Sequence, residues 1–121
     1  MPFKPENAVV WSEIPVTDLD RARVFYAEVL QCEMRQDNSG PRPIVDIVAD
    51  SVAAHLYVGT PAPRGTGVTL HLAVQGTVED ALTRTKSAGG TVILPIITIP
   101  QGRFAKIQDL DGNSIGLFQA T

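Results

Sequence analysis

The chain has little cysteine, few aromatic residues and no excess of positive charge. Its single cysteine, Cys32, excludes an intramolecular disulfide and a zinc site built on several thiolates. The apolar runs are shorter than a membrane span, and residues 1–4 lack the apolar core of a secretory signal, so we expect no membrane partner and no exported precursor. The net charge of −3 argues against nucleic acid as a partner.

What the chain does contain is a repeat. The first half opens V-V-W-S-E-I-P-V-T-D-L-D and the second opens V-T-L-H-L-A-V-Q-G-T-V-E-D, each a short apolar strand, a turn and a helix start. Val16 and Val74 end the two opening strands, about 58 residues apart. In a chain of 121 residues, this spacing predicts two copies of one β-α-β-β-β unit around a shared cavity, where small molecules bind.

Local signals predict the limits of the elements. Helices are predicted near 18–30 and 77–88, because Thr17 or Asp18 and then Thr77 are favourable N-cap residues. Strands are predicted over 8–16, 44–49, 53–58, 68–74, 91–94, 103–108 and 114–119. The Gly- and Pro-rich segment 59–67 is interpreted as the linker between half-units of about 8–58 and 68–119 within a single domain.

Three stretches resemble a known superfamily. They are I-P-V-T-D-L-D-R-A-R-V-F-Y-A-E-V-L, A-G-G after the second helix, and D-L-D-G-N-S-I-G-L-F near the C-terminus. Together they look like the vicinal oxygen chelate superfamily of glyoxalase I, extradiol dioxygenases and the fosfomycin and bleomycin resistance proteins. The opening is most similar to a bacterial branch that begins W-x-E-I-P-V. The resemblance covers about Val9 to Phe118.

That resemblance implies a fold, a location and an assembly. The fold would be α+β, with two β-α-β-β-β half-units forming a cupped, incomplete eight-stranded sheet. The protein would be cytoplasmic and would form a homodimer. In catalytic members each half-unit supplies two inward-facing His or Glu ligands, and the divalent metal they hold binds vicinal oxygens of the substrate.

This sequence departs from the family's metal-ligand pattern. The position on the first strand is occupied by Trp11, and that on the last strand by Gly116. Neither residue can bind a divalent metal in the family manner. His55 lies near the position on the first half's closing strand, and the position on the second half's opening strand is either Thr69 or His71. At least two of the four family ligands are therefore missing.

We therefore interpret the chain as a protein that binds a small aromatic or amphipathic organic molecule in the cavity between half-units, without family-type metal catalysis. The candidate ligand-binding residues are Trp11, Glu13, His55, Tyr57, His71 and Phe104. One alternative is a metal-dependent lyase or dioxygenase with an altered ligand set, in which Glu13, His55 and His71 would hold the metal. Another is a regulatory or interaction module. No catalytic residue is assigned.

The repeat also relates two of these candidates to each other. Glu13 and His71 each lie three residues before the valine that ends their strand. As counterparts, they would face each other across one cavity or occupy equivalent sites in a dimer. Structural roles are open for the other candidates too: Trp11 could serve as plain core, and Tyr57 and Phe104 could simply pack in the sheet.

Overall fold

The computed structural model describes residues 2–121 and contains two helices and eight strands within them. The elements, in chain order, are β1 (Trp11–Val16), α1 (Leu19–Leu30), β2 (Met34–Asp37), β3 (Ile44–Ile47), β4 (Ala53–Val58), β5 (Leu70–Ala73), α2 (Val78–Ser87), β6 (Thr91–Ile99), β7 (Gly102–Gln108) and β8 (Ser114–Ala120). Neither helix of this described part is long and apolar enough to cross a membrane.

The strands form two sheets of identical topology. Sheet A has the order β1-β4-β3-β2, and sheet B has the order β5-β8-β7-β6. The β1–β4 and β5–β8 pairs are parallel, and the other pairs are antiparallel. The predicted α+β fold of two β-α-β-β-β units is confirmed. Its eight strands are divided into two four-stranded sheets that are not hydrogen-bonded to each other.

Both helices begin and end where the local signals predict. The Asp18 carboxylate accepts a hydrogen bond from the backbone of Arg21, which satisfies one free N–H of α1. The Thr77 hydroxyl does the same for Asp80 in α2. Gly89 follows α2 with a φ of 94°, a left-handed conformation that glycine adopts without steric cost.

Each sheet buries one face and leaves the other uncovered. Alternation along the strands directs Ile14, Val16, Val45 and Leu56 into a continuous core with α1, and Ile107, Ile115 and Leu117 into the same core with α2. We call the opposite faces the open faces. The open face of sheet A carries Trp11, Glu13, Asp46, His55 and Tyr57; that of sheet B carries His71, Ile93, Ile97, Phe104 and Phe118.

The turn at 109–113 ties the second half-unit to the first, and we call it the latch. The hydroxyl of Tyr26 in α1 donates to Oδ2 of Asp109 over 2.6 Å. The side-chain amide of Asn113 donates to the backbone carbonyl of Pro15 over 2.8 Å. The D-x-D-G-N sequence is therefore more than the hairpin turn that its residues predict.

Asp109 is buried, at 2% exposure, but its carboxylate is well supplied with donors. Besides the Tyr26 hydroxyl, it accepts from the backbone N–H groups of Asp111 and Asn113 and from the Asn113 side chain. Burial, and then the charge of Asp109, raise the pKa of Tyr26 well above its usual value. The tyrosine consequently remains a neutral donor at all but strongly alkaline pH.

Strands β1, β3 and β5 are shorter than the predicted 8–16, 44–49 and 68–74, and two other strands depart further from the sequence prediction. β2 (Met34–Asp37) was not predicted, because its polar residues show no apolar alternation, as suits a strand at the edge of a sheet. β6 continues to Ile99, beyond the predicted end at 94, and passes through Pro95. It can do so because β6 is also an edge strand and its register with β7 shifts between Ile93 and Ile97.

Candidate functional site

A row of charged and polar side chains crosses the open face of sheet A. In register, Glu13 of β1 lies beside His55 of β4, His55 beside Asp46 of β3, and Asp46 beside Arg35 of β2. The Glu13 carboxylate is 3.9 Å from Nε2 of His55, at 48% and 18% side-chain exposure respectively. The structure thus brings together two of the predicted site residues and adds Asp46, which sequence reasoning missed.

Tyr57 lies in the next row of the same face. Its neighbours in register are Pro15 and Ile44, and the guanidinium of Arg42 stacks over its ring at 4.8 Å. Around these side chains is a pocket of about 310 Å³ that is lined by Glu13, Asp37, Ser39, Gly40, Pro41, Arg42, Ile44, His55 and Tyr57. The predicted residues Glu13, His55 and Tyr57 therefore share one pocket.

The rim of this pocket is held by a local turn. Asp37 accepts hydrogen bonds from the backbone N–H and the hydroxyl of Ser39. These bonds lower the pKa of the Asp37 carboxyl, so the rim keeps a negative charge at neutral pH. Arg42 supplies a positive charge on the same side, which leaves the pocket able to orient a ligand that carries hydrogen-bonding groups.

The open face of sheet B carries His71, whose side chain is exposed. Its imidazole meets the ring of Phe104 edge to face, with the ring centroids 5.0 Å apart. It also lies over Gly116, its neighbour in register, where an added Cβ atom would overlap the imidazole. The absence of a side chain at Gly116 therefore makes room for His71, and the two predicted residues His71 and Phe104 are brought into contact.

Trp11 lies at the start of β1 beside Ala53. Its side chain is 60% exposed, so the interpretation of Trp11 as plain core is wrong. An exposed indole on the open face of a sheet can stack on a flat molecule.

The strand registers relate the two halves position by position. Glu13 pairs with His55, and His71 pairs with Gly116, so Glu13 and His71 are counterparts, as the repeat predicts. Counting along the same strands makes Thr69 the counterpart of Trp11. Within one chain, however, the imidazole beside Glu13 is that of His55, and His71 contacts Phe104 on the other sheet.

The residues present do not fit a family-type metal centre. Glu13 and His55 offer two donors, but catalytic divalent metals generally need three protein ligands. Within residues 2–121 no group of three or more His, Cys, Asp or Glu side chains is arranged to hold a metal ion. The candidate set of Glu13, His55 and His71 is therefore not brought together in one chain.

Comparison with known families identifies the chain. Residues 8–117 match the model of the glyoxalase/bleomycin resistance protein/dioxygenase superfamily, so the chain belongs to this superfamily. No functionally curated protein matches it significantly.

Solved structures of the same fold cover nearly the whole chain. Hypothetical protein SA1046 from S. aureus is 21% identical, with a TM-score of 0.73 over 91% of this chain and 95% of its own. A glyoxalase/bleomycin resistance protein from Albidiferax ferrireducens T118 is 23% identical, with a TM-score of 0.73 over 93% of this chain and 98% of its own. TnmS3, an antibiotic binding protein from Streptomyces sp. CB03234, is 26% identical, with a TM-score of 0.69 over 98% of this chain and 100% of its own.

Proposed function

We propose that this protein binds a small, flat amphipathic organic molecule without a bound metal. The ligand would lie between the open face of sheet A and the open face of sheet B. The observation that carries the proposal is the unlike chemistry of the two faces. Sheet A presents the Glu13–His55 pair and Tyr57 in a pocket of about 310 Å³. Sheet B presents Phe104 and Ile97. A ligand with a polar end and an aromatic body could hydrogen-bond to the groups on sheet A and pack its ring against the apolar side chains on sheet B.

The likeness to an antibiotic binding protein supports binding rather than catalysis. TnmS3 is 26% identical over almost the full length of both chains. Replacement of the family's metal-ligand positions by Trp11 and Gly116 favours the same conclusion, because an indole supplies a stacking surface and a glycine supplies space. Trp11 is the platform on which we expect the aromatic body to stack.

Two chains together would complete the cavity. Ile93 and Ile97 are 41% and 43% exposed on sheet B, and Leu94 is 67% exposed beside them. Exposed apolar side chains grouped on one edge strand in this way are typical of a protein interface. A homodimer that sets the open face of sheet A of one chain against sheet B of its partner would cover the patch and enclose the ligand. Ile97→Asp should then shift sedimentation toward monomer, whereas Val24→Asp on helix α1 should not.

The binding proposal is tested by titration with 9-aminoacridine, a flat tricyclic with an amine on its central ring. Trp11 is the single tryptophan, so its fluorescence reports directly on the site. We expect saturable quenching and, in calorimetry, a loss of affinity of about tenfold in Trp11→Ala, since stacking contributes about 0.5–1.5 kcal/mol beyond burial. Val24→Ala, which removes another exposed apolar side chain, should leave the affinity unchanged. Equal affinities in the two variants would refute the role of Trp11.

A metal-dependent lyase or dioxygenase is the second candidate. The 3.9 Å approach of Glu13 to His55 favours it, because the pair offers two of the three ligands that such a site needs. Elemental analysis of protein purified without a metal-affinity tag separates the two functions. Stoichiometric metal that Glu13→Gln removes would favour the enzyme.

A further inference from the structure

A second cavity lies on the far side of β1 from the polar pocket, at the free edge of β5. It measures about 460 Å³, and its walls are mostly apolar, with Ser12 and His71 as the polar side chains among them; the apolar members include Leu30, Cys32, Ile47, Val52, Leu70 and Leu72. β5 pairs only with β8, so one edge of β5 faces this space with its backbone groups unpaired by any strand of residues 2–121. The volume is typical of a small-molecule site.

The internal repeat shows why this cavity exists. Its counterpart in the other half is a smaller space of about 270 Å³ lined by residues 12–15 and 113–115. There, Asn113 of the latch donates to the carbonyl of Pro15 over 2.8 Å. Because Ala53 and Ser114 hold equivalent places in the register, the counterpart of Asn113 is Val52, which cannot donate a hydrogen bond.

The carbonyl that corresponds to that of Pro15 is the carbonyl of Ala73. The N–H of Val74 donates to the carbonyl of Phe118 in β8. Since successive backbone groups of a strand point to opposite sides, the Ala73 carbonyl is directed away from β8 and toward the cavity that Ala73 lines. By the same alternation the His71 carbonyl also faces this edge, but only the Ala73 carbonyl is the counterpart of the Pro15 carbonyl that Asn113 satisfies. A mostly apolar space with a backbone acceptor at this position is complementary to an apolar molecule that carries a donor.

We propose that this cavity is a second ligand site, for a compact neutral aromatic molecule with a single O–H or N–H donor, such as a phenol or an indole. The ring occupies the space between Leu30, Ile47 and Leu72. The donor bonds the Ala73 carbonyl, as the Asn113 amide bonds Pro15 in the other half. The site is independent of the stacking surface on Trp11.

The test uses 2-naphthol as the probe and 2-methoxynaphthalene, which lacks the donor, as its matched control. In methyl-detected NMR, 2-naphthol should shift the signals of Val52, Leu70 and Leu72 saturably, and the methoxy compound should bind about tenfold more weakly. Cys32 is the single cysteine, so its alkylation by iodoacetamide should slow as the site fills, giving a second readout.

Substitutions in the wall complete the experiment. Val52→Asn places an amide where Asn113 has one, and it should weaken 2-naphthol binding about tenfold by occupying the Ala73 carbonyl. Val58→Asn makes the same change at the end of β4, outside the cavity, and should leave binding intact. Trp11→Ala should also leave it intact, which separates this site from the proposed function. Ala49 is an exposed residue of the cavity wall, and Ala49→Phe should narrow the cavity there. This variant should therefore bind both probes more weakly.

Three results would overturn the proposal. The first is a set of shifts confined to the methyl groups of Ile44, Ile93 and Ile97 on the open faces, because binding would then belong to those faces. The second is equal affinity for the two probes, because no donor would then be recognised. The third is a response of the cavity signals to protein dilution but not to 2-naphthol, since a second copy of the chain would then fill the space.

Discussion

Replacing Tyr26 by Phe tests the latch by removing one hydroxyl. That hydroxyl donates over 2.6 Å to the carboxylate of Asp109, which is 2% exposed. Buried hydrogen bonds to charged groups contribute about 1.5–3 kcal/mol to the free energy of unfolding. Asp109 keeps its other donors from Asp111 and Asn113, so the carboxylate is not left unpaired. We therefore expect Tyr26→Phe to lower the free energy of unfolding by about 1.5 kcal/mol, the lower end of that range.

The same substitution should change the response to alkaline pH. Burial and the charge of Asp109 raise the pKa of Tyr26 in the folded protein above its unfolded value near 10.0. A group with a raised folded pKa contributes stability that is complete below the unfolded pKa and is lost as the pH rises through the folded pKa. Tyr26→Phe should therefore lose less stability than the wild type above about pH 10.

Urea denaturation followed by far-ultraviolet circular dichroism measures both effects. The matched control is Tyr57→Phe, which makes the same chemical change at the other tyrosine, on the open face of sheet A. Its free energy of unfolding and pH profile should stay close to those of the wild type. A Tyr26→Phe variant within about 0.5 kcal/mol of wild type at neutral pH would refute the reasoning, because the latch bond would then contribute no more than a surface contact.

Two further predictions concern a close contact and an ion pair. Gly116→Ala should cost about 0.5–1.5 kcal/mol of unfolding free energy, because the new methyl forces the exposed imidazole of His71 out of its position, and it should be nearly neutral in a His71→Ala background; a double-mutant cycle by urea denaturation measures the coupling. Glu79 has a pKa lowered by its hydrogen bond from Arg103, so its contribution is present above the usual value of 4.5 and is lost as the pH falls through the lowered pKa. Glu79→Gln should flatten the acid side of the stability profile, and an unchanged acid limb would contradict the pairing.

The helices could be predicted closely because their signals are local. Asp18 and Thr77 cap the first turns through their own side chains, and Gly89 ends α2 through its own backbone conformation. The polar strand β2 could not be predicted, since it is stabilised by pairing with β3 rather than by its own pattern. The topology followed from the repeat, which places the same elements in the same order twice.

The sequence was sufficient to predict which residues lie on the open faces, but not which of them are neighbours. Alternation along one strand correctly assigns Glu13 and Trp11 to the same face. Which imidazole lies beside Glu13 depends on the register between strands about 40 residues apart, and no local signal specifies it. The latch was missed for the same reason: Tyr26 has the spacing of a core residue, and Asp109 that of a turn residue.

The central claim is that an organic ligand binds without a metal, and calorimetry of chelator-treated protein tests it most directly. Titration with 9-aminoacridine should give the same affinity after dialysis against EDTA as after addition of zinc or nickel, because Trp11 and the Glu13–His55 pair would contact the ligand themselves. Binding that appears only when the metal is restored, and that Glu13→Gln abolishes, would contradict the account and favour the metal-dependent enzyme.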